Sequence, residues 1–238
     1  MRVVGSFFSR LQLGEPVYLV DISIADNFPW LFQHVKVPMY FLHCFSHRTD
    51  RPNHAQTNQP SLFIGAQGTR SSLHIDQFCT HFWMFVSQGR KRWLTFHPDD
   101  VDLLSPVFDR GEQILRFPDL EVLMASESAA EALRAARSLD FVLEEGEVLF
   151  LPQGTPHQVY NLTPTVAVAS NWFDQSNIDG AKRQMAAKLK HITDESRRAN
   201  IETLLAALNS ARWPDLEAEL RRRATEQDAQ GKQAEPPA

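Results

Sequence analysis

The sequence predicts a mainly β domain, a sandwich or barrel of short strands, followed by C-terminal α-helices. Two observations predict it. Between Ser61 and Phe173, short apolar stretches rich in Val, Phe, Leu and Trp are punctuated by Gly65, Gly68, Gly89, Gly146, Pro152 and Gly154, the signature of many short strands. After Asn177 the apolar residues change to helical spacing, with Ile178, Ala181, Met185, Leu189 and Ile192 on one face. A chain of 238 residues, 43% hydrophobic and 10% aromatic, is long enough for one domain with its own core.

The elements follow in order. Val17 to Ser23 reads as a short strand, and Phe28 to Val35 as a helical turn or two bounded by Pro29 and Pro38. Arg48 to Pro60, rich in Asn, Gln and Pro, reads as a loop. SLFIGAQG, SLHID, HFWMFVSQG, KRWLTF, FVLEEGEVLFLP, HQVYNL and TVAVASNWF are the candidate strands, and the Ala- and Glu-rich stretch from Ser126 to Ser138 is an inserted helix. IDGAKRQMAAKLKHI and IETLLAALNSA are two further helices. WPDLEAELRRRA makes a third, with Pro214 near its start and arginines near its end, where the helix dipole favours them. The expected division is an N-terminal part over 1–60, a β core over 61–177, a helical segment over 178–226 and a disordered tail over 227–238. The C-terminal helices are expected to pack on the β core or to form a homodimer contact.

Composition narrows the function classes. The formal charge is −5, which gives no overall reason to bind nucleic acid, although Arg90, Lys91 and Arg92 make a small basic patch. Two cysteines, Cys44 and Cys79, supply neither a disulfide scaffold nor a cysteine zinc site, and they fit a reducing compartment. No apolar run approaches the ~20 residues of a membrane span, and the first residues are too broken by polar groups for a signal peptide. The expectation is a soluble intracellular protein of the nucleus or cytoplasm.

The chemistry centres on His74-Ile75-Asp76. On a strand, residues two apart share a face, so the imidazole and the carboxylate can converge on one ion while Ile75 faces away. His157, which follows a Pro-Gln-Gly-Thr-Pro turn and opens another apolar strand, is the best third ligand. Two histidines and one carboxylate on one face of an octahedron suit non-haem Fe(II), because three positions stay open. An H-x-D tripeptide alone is common by chance. His43, His47, His54, His81, His97 and His191 show no comparable spacing and read as structural or exposed.

The order of segments is more specific. SSLHIDQFCTHFWMFVSQGRKRW, then EEGEVLFLPQGTPHQVYNL, then VAVASNWF, resembles the jumonji (JmjC) family of 2-oxoglutarate oxygenases over roughly Val17 to Asn177, and within it the small protein hydroxylases, including the lysyl-hydroxylase branch. The resemblance implies a double-stranded β-helix, the jelly-roll barrel of cupin and JmjC proteins. It matches His74, Asp76 and His157 to the family's iron ligands, and Lys91 to the lysine that binds the 5-carboxylate of 2-oxoglutarate. Alternation lets only one of Lys91 and Arg92 point inward, and Lys91 shares a face with Trp93. Ser71, at a position commonly Thr in the family, and Asn171, near the end of the last barrel strand, match further co-substrate contacts. Ala169 and Val86 depart from the pattern, standing where relatives often carry a polar residue; Ser71, Thr80 and Ser170 could supply the hydroxyls instead. Relatives also have a further N-terminal segment, so the chain reads as a truncated form.

By that resemblance the cofactors are Fe(II), 2-oxoglutarate and O2. The reaction is hydroxylation of a protein side chain, lysine first, with release of succinate and CO2, and no catalytic residue is needed beyond the metal ligands. Alternatives within the fold are an N-methyl-lysine demethylase, a tRNA hydroxylase and a catalytically inactive binding module. A cupin using zinc or manganese for isomerase or lyase chemistry is a further one, and it would have no need of the dicarboxylate clamp at Lys91.

Overall fold

In the computed structural model, residues 2–32, 34–41, 44 and 60–210 are described. Most of the polar loop expected over Arg48 to Pro60, the third C-terminal helix and the tail lie outside them.

The first element is a helix that strand patterning did not suggest, α1 (Arg2–Gln12). Phe7 and the partly buried Leu11 close it onto Val17 and Leu19. Strand β1 (Tyr18–Ser23) follows, interrupted between Leu19 and Ile22 by an irregularity at which Asp21 takes a left-handed φ of 54°. Two single-turn helices, α2 (Ile24–Asn27) and α3 (Pro29–Phe32), come next. The strand region holds β2 (Ser61–Gly65), β3 (Arg70–His74), β4 (His81–Gln88), β5 (Lys91–Phe96), and the small hairpin β6 (Val107–Asp109) and β7 (Ile114–Arg116). After the helices α4 (Leu120–Ala125) and α5 (Glu127–Ala135) it resumes with β8 (Ser138–Leu143), β9 (Val148–Leu151), β10 (His157–Asn161) and β11 (Thr165–Trp172). The described chain ends in α6 (Ile178–Leu189) and α7 (Glu195–Ser210).

Among the described residues all pairing is antiparallel, in three separate sheets: β1-β2-β11-β4-β9, β3-β10-β5-β8 and β6-β7. The expected mainly β barrel is therefore corrected to a mixed α/β fold. Among the described residues no sheet closes on itself, and helical residues somewhat outnumber strand residues. Closure would need a hydrogen-bonded ladder running from one large sheet into the other. Instead the two large sheets are joined by side chains. Trp93, Leu143 and Val159 of the four-stranded sheet meet Phe63, Phe82, Met84, Val86, Ala167 and Ala169 of the five-stranded one. Val86 and Ala169, the two departures from the family pattern, are fully buried in this layer, where a polar side chain would need a partner.

The outer faces are covered too. Leu73, Phe96 and Leu104 pack under Leu120 and Leu123 of α4, with Ala136 just past α5. On the other side Trp83 and Trp172 pack with Phe41 and Cys44, the Phe41 ring lying parallel to Trp83 at 5.5 Å. Ile178, Ala181 and Met185 of α6 join Ile192, Ile201, Leu204 and Leu208 around Phe78 and Phe173, so the helical pair is seated at the end of β11 and on the chain just after His74.

Candidate metal and co-substrate site

The site is built where β3 and β10 pair irregularly. His157 is opposite His74 and Val159 is opposite Ser71, so two steps along β10 match three along β3. That extra residue is a β-bulge. It puts Ser71 and His74 on the same inner face although they are three apart, a spacing that a regular strand would place on opposite faces. Leu73 faces the outer core beneath α4.

Strand β3 stops at His74, so Asp76 is not placed by strand alternation. It sits in extended backbone (φ −60°, ψ 138°) at the head of a 3-10 turn, Gln77–Cys79. Even so, one ligand atom from each of His74, Asp76 and His157 lies within 4.8 Å of the others, and among the described residues this is the one such group of three. His74 Nε2 is 3.7 Å from Asp76 Oδ1, and the two imidazole centroids are 4.2 Å apart. Donors that share an ion at ~2.0–2.2 Å must lie within a few ångströms of one another, and these do.

Each histidine is oriented by the carbonyl two residues before it. Nδ1 of His74 donates to Ser72 O at 2.7 Å, and Nδ1 of His157 donates to Thr155 O at 3.0 Å. A carbonyl only accepts, so Nδ1 carries the proton and the Nε2 lone pair is left for a metal. His157 is buried against Trp93, its ring 5.5 Å away. Burial, reinforced by the neighbouring His74, pulls its pKa down to about 4, so it is neutral at neutral pH, the form that ligates.

Asn171 of β11 reaches the third donor. Its Nδ2 donates to Asp76 Oδ2 at 3.3 Å and to Thr80 Oγ1 at 2.8 Å. The sequence places Asn171 among the co-substrate contacts; its amide also aims the Asp76 carboxylate. Residues that orient a ligand commonly matter 10–100-fold to metal affinity. Asn171→Ala is therefore expected to weaken Co(II) binding by roughly 10-fold or more, read by titration of the visible cobalt spectrum, with little change in melting temperature. Unchanged affinity would show that Asp76 needs no such support.

Farther along the same inner face lies Lys91, fully buried. It pairs across the ladder with Asn161, four residues beyond His157 and so on the same face, ~13 Å along the strand. Its Nζ donates to Asn161 Oδ1 at 2.7 Å and to the Tyr18 hydroxyl at 3.0 Å. Burial alone lowers its pKa to about 7, and among the described residues no carboxylate pairs with it. Asn161 is held by Thr69 and Thr165, and it lies so close to Gly65 that a Cβ there would come within 2.0 Å of its Nδ2. The Tyr18 phenol is pushed up to about 12 by burial, against side-chain hydrogen bonds with Asn161 and Ser71. Sequence reasoning missed Tyr18 and Asn161; the second was findable from its i+4 spacing to His157.

The flanking cations face outward and are matched by acids. Arg90 forks onto Glu144, and Arg92 onto Asp140 at 2.8 and 2.5 Å. The small basic patch is thus largely neutralised. A cleft of about 670 Å³ opens onto His74 and Asp76, lined also by Ser71, the rest of the 72–78 segment, Thr80, Asn171, Asp21 and residues 114–117 of the β7 region, while His157 lies buried behind them. No helix among the described residues is long and apolar enough to cross a membrane.

Comparison with known proteins agrees with this geometry. A family model described as "Cupin-like domain" matches residues 4–179. The zebrafish (Danio rerio) 2-oxoglutarate and iron-dependent oxygenase JMJD4 is 29% identical over 170 residues, covering 68% of this chain and 37% of that protein. Arginine-specific demethylase JMJ22 of Arabidopsis thaliana is 30% identical over 168 residues, covering 69% and 32% respectively. Lysine-specific demethylase JMJ21, also of Arabidopsis thaliana, is 26% identical over 215 residues, covering 86% and 21%. The chain thus spans between about a fifth and two fifths of the length of these relatives.

Proposed function

We propose, from the premise that the chain belongs to the cupin-like domain family, that it is an Fe(II)- and 2-oxoglutarate-dependent dioxygenase that hydroxylates a protein side chain, lysine first. Residues 61–177 are its catalytic core, with Tyr18 supplied from the 1–60 part and the helices after Asn177 as support.

The residues fit the groups they would hold. His74, His157 and Asp76 offer two neutral imidazole nitrogens and one carboxylate, the donor set suited to Fe(II) with open positions for a chelating 2-oxo acid and O2. Iron in that site would supply the redox chemistry that converts 2-oxoglutarate to succinate and CO2 and puts an oxygen atom into a substrate C–H bond. The chain's own residues bind, orient and exclude water. Asn171 aims Asp76, Trp93 packs on His157, and the inter-sheet core keeps the inner end dry.

The observation that carries the reading is Lys91. A buried amine with only neutral partners is costly to keep charged, and it becomes favourable once an anion sits against it. The distal carboxylate of 2-oxoglutarate is such an anion, with the Tyr18 and Ser71 hydroxyls beside it as donors.

The lysine assignment rests on the sequence resemblance. It gains support from two relatives named for action on arginine and lysine, both basic side chains. Their names also favour a second reading of the same chemistry, in which the oxidised carbon is an N-methyl group. The test is to incubate the protein with Fe(II), ascorbate and 2-oxoglutarate and to measure succinate, with and without basic peptides. Succinate above the metal-free control is expected. Metal uptake without succinate under any of these conditions would mean a binding module. A product heavier by one oxygen indicates hydroxylation, and formaldehyde release indicates demethylation.

A further inference from the structure

Asp76 is carried by an awkward piece of chain. Phe78 and Cys79 follow it with φ of 58° and 50°, two consecutive non-glycine residues in the left-handed region. Such backbone is unfavourable and persists only where its surroundings hold it. Part of the hold is visible. Phe78 is buried among the apolar residues of α6 and α7, and Gly180 of α6 comes so close that an added Cβ would be 3.2 Å from Cys79 Sγ.

The Thr80 hydroxyl closes the turn by donating to Gln77 O at 3.1 Å, and a further polar hold comes from a single buried cation. Lys188, near the end of α6, is 2% exposed, although lysine is among the side chains least often buried. Its Nζ donates to Gln77 Oε1 at 2.9 Å, lies 5.6 Å from the Phe78 ring centroid and is 3.3 Å from Glu112 Oε2. Glu112 is in the turn between β6 and β7, the hairpin whose Ile114–Arg116 strand lines the opposite side of the cleft. Arg197 of α7 grips the same carboxylate at 2.6 and 2.9 Å. One amine thus joins the turn behind Asp76, the hairpin across the cleft and the C-terminal helices.

We propose that Lys188 is a positioning residue: from α6 it fixes the strained 77–79 turn so that Asp76 stays beside His74 and His157, and it ties that turn to the hairpin facing it across the cleft. For its consequence at the metal, the proposal rests on the iron reading above. The C-terminal helices thereby become part of the site's framework as well as a cover for the end of the β layers.

The test separates positioning from plain stability, and the tether from the metal. Hydrogen exchange of the backbone amides over 76–80 is followed in the metal-free full chain, and Co(II) affinity is measured in parallel. Lys188→Met is expected to speed that exchange about 10-fold or more and to weaken Co(II) about 10-fold, the scale of a lost outer contact. Lys188→Arg should restore most of both. Gln77→Ala, at an exposed side chain that the fold can spare, should show a smaller effect of the same kind. The Gln77→Ala and Lys188→Met double variant should be no worse than Lys188→Met alone, because the two act through one contact. Leu204→Ala, which loosens the same helical cluster without touching the polar contacts, is the control. If Lys188→Met exchanges no faster over 76–80 than Leu204→Ala at equal stability, the proposal is overturned. Should Lys188→Met not fold, Gln77→Ala decides by the same measurements, and unchanged exchange in it overturns the proposal. A wild-type chain that takes up no Co(II) would remove the iron reading instead, while the exchange result still decides the tether.

Discussion

Replacing Asp76 by Ala is expected to abolish stoichiometric Fe(II) binding and reduce succinate formation to background, while the protein stays folded. Asp76 gives the fold little. Its carboxylate takes one hydrogen bond from Asn171 and is partly exposed, so its loss should cost no more than about 1 kcal/mol of stability. To the metal it gives the only anionic donor of the three. Without it, two neutral imidazoles remain, 4.2 Å apart between ring centroids, and the affinity lost should exceed the ~100-fold upper range of an outer-contact variant such as Asn171→Ala. Calorimetric titration of Fe(II) under anaerobic conditions checks the binding, and thermal melting checks the fold. Retained one-to-one binding would place the metal elsewhere.

Lys91→Met should move stability and co-substrate affinity in opposite directions. In the folded protein the amine titrates near 7 because burial disfavours its charge, against an ordinary lysine value of 10.5. Between those values the unfolded chain holds a proton that the folded chain has released, so wild-type stability rises with pH across this window. At pH 7 and below, the buried charge is a burden, and Met removes it. A gain of about 1–2 kcal/mol is expected there, less than burial alone implies because Tyr18 and Asn161 lose a donor. For a chain of this length that is a melting-temperature rise of roughly 2–8 °C. The gain should shrink toward pH 10.5, where the unfolded chain gives up its proton too and the two states no longer differ in charge at this residue. Binding of 2-oxoglutarate should fall by about 100-fold or more, the scale of a lost charge-assisted contact. Wild-type binding should also take up a proton above pH 7 and weaken about tenfold for each further pH unit. Calorimetry in buffers of different ionisation heat measures that uptake. A variant less stable than wild type that binds 2-oxoglutarate normally would remove Lys91 from the co-substrate site.

The parts of the site that were legible in the sequence are those that depend on local alternation or on a recognisable order of segments. The choice between Lys91 and Arg92 is of this kind, since one strand step decides which faces inward, and Arg92 is outside on Asp140. The convergence of His74, Asp76 and His157 came from segment order, although the geometry that produces it was not foreseen. Alternation predicts that the strand itself carries Asp76, whereas a strand end and a left-handed turn do so. Tyr18 was out of reach, because nothing local tells a strand at residue 18 that it will border residue 91. The barrel failed for a related reason. Alternating short strands describe a sandwich and a barrel equally well, and what separates them is pairing between edges distant in sequence. Helix α1 escapes strand patterning because its apolar face, with Phe7 and Leu11 four residues apart, repeats at helical spacing and finds its partners, Val17 and Leu19, only on the strand that follows.

The β3 bulge also bears on how this segment can change over generations. The Ser72 carbonyl within it receives the Nδ1 proton of His74. Removing one residue between Ser71 and His74 would make the ladder regular and redirect that carbonyl, and adding one would turn Ser71 or His74 to the other face. Substitutions at Ser72 leave the backbone acceptor in place. The segment therefore tolerates a change of letter far better than a change of count.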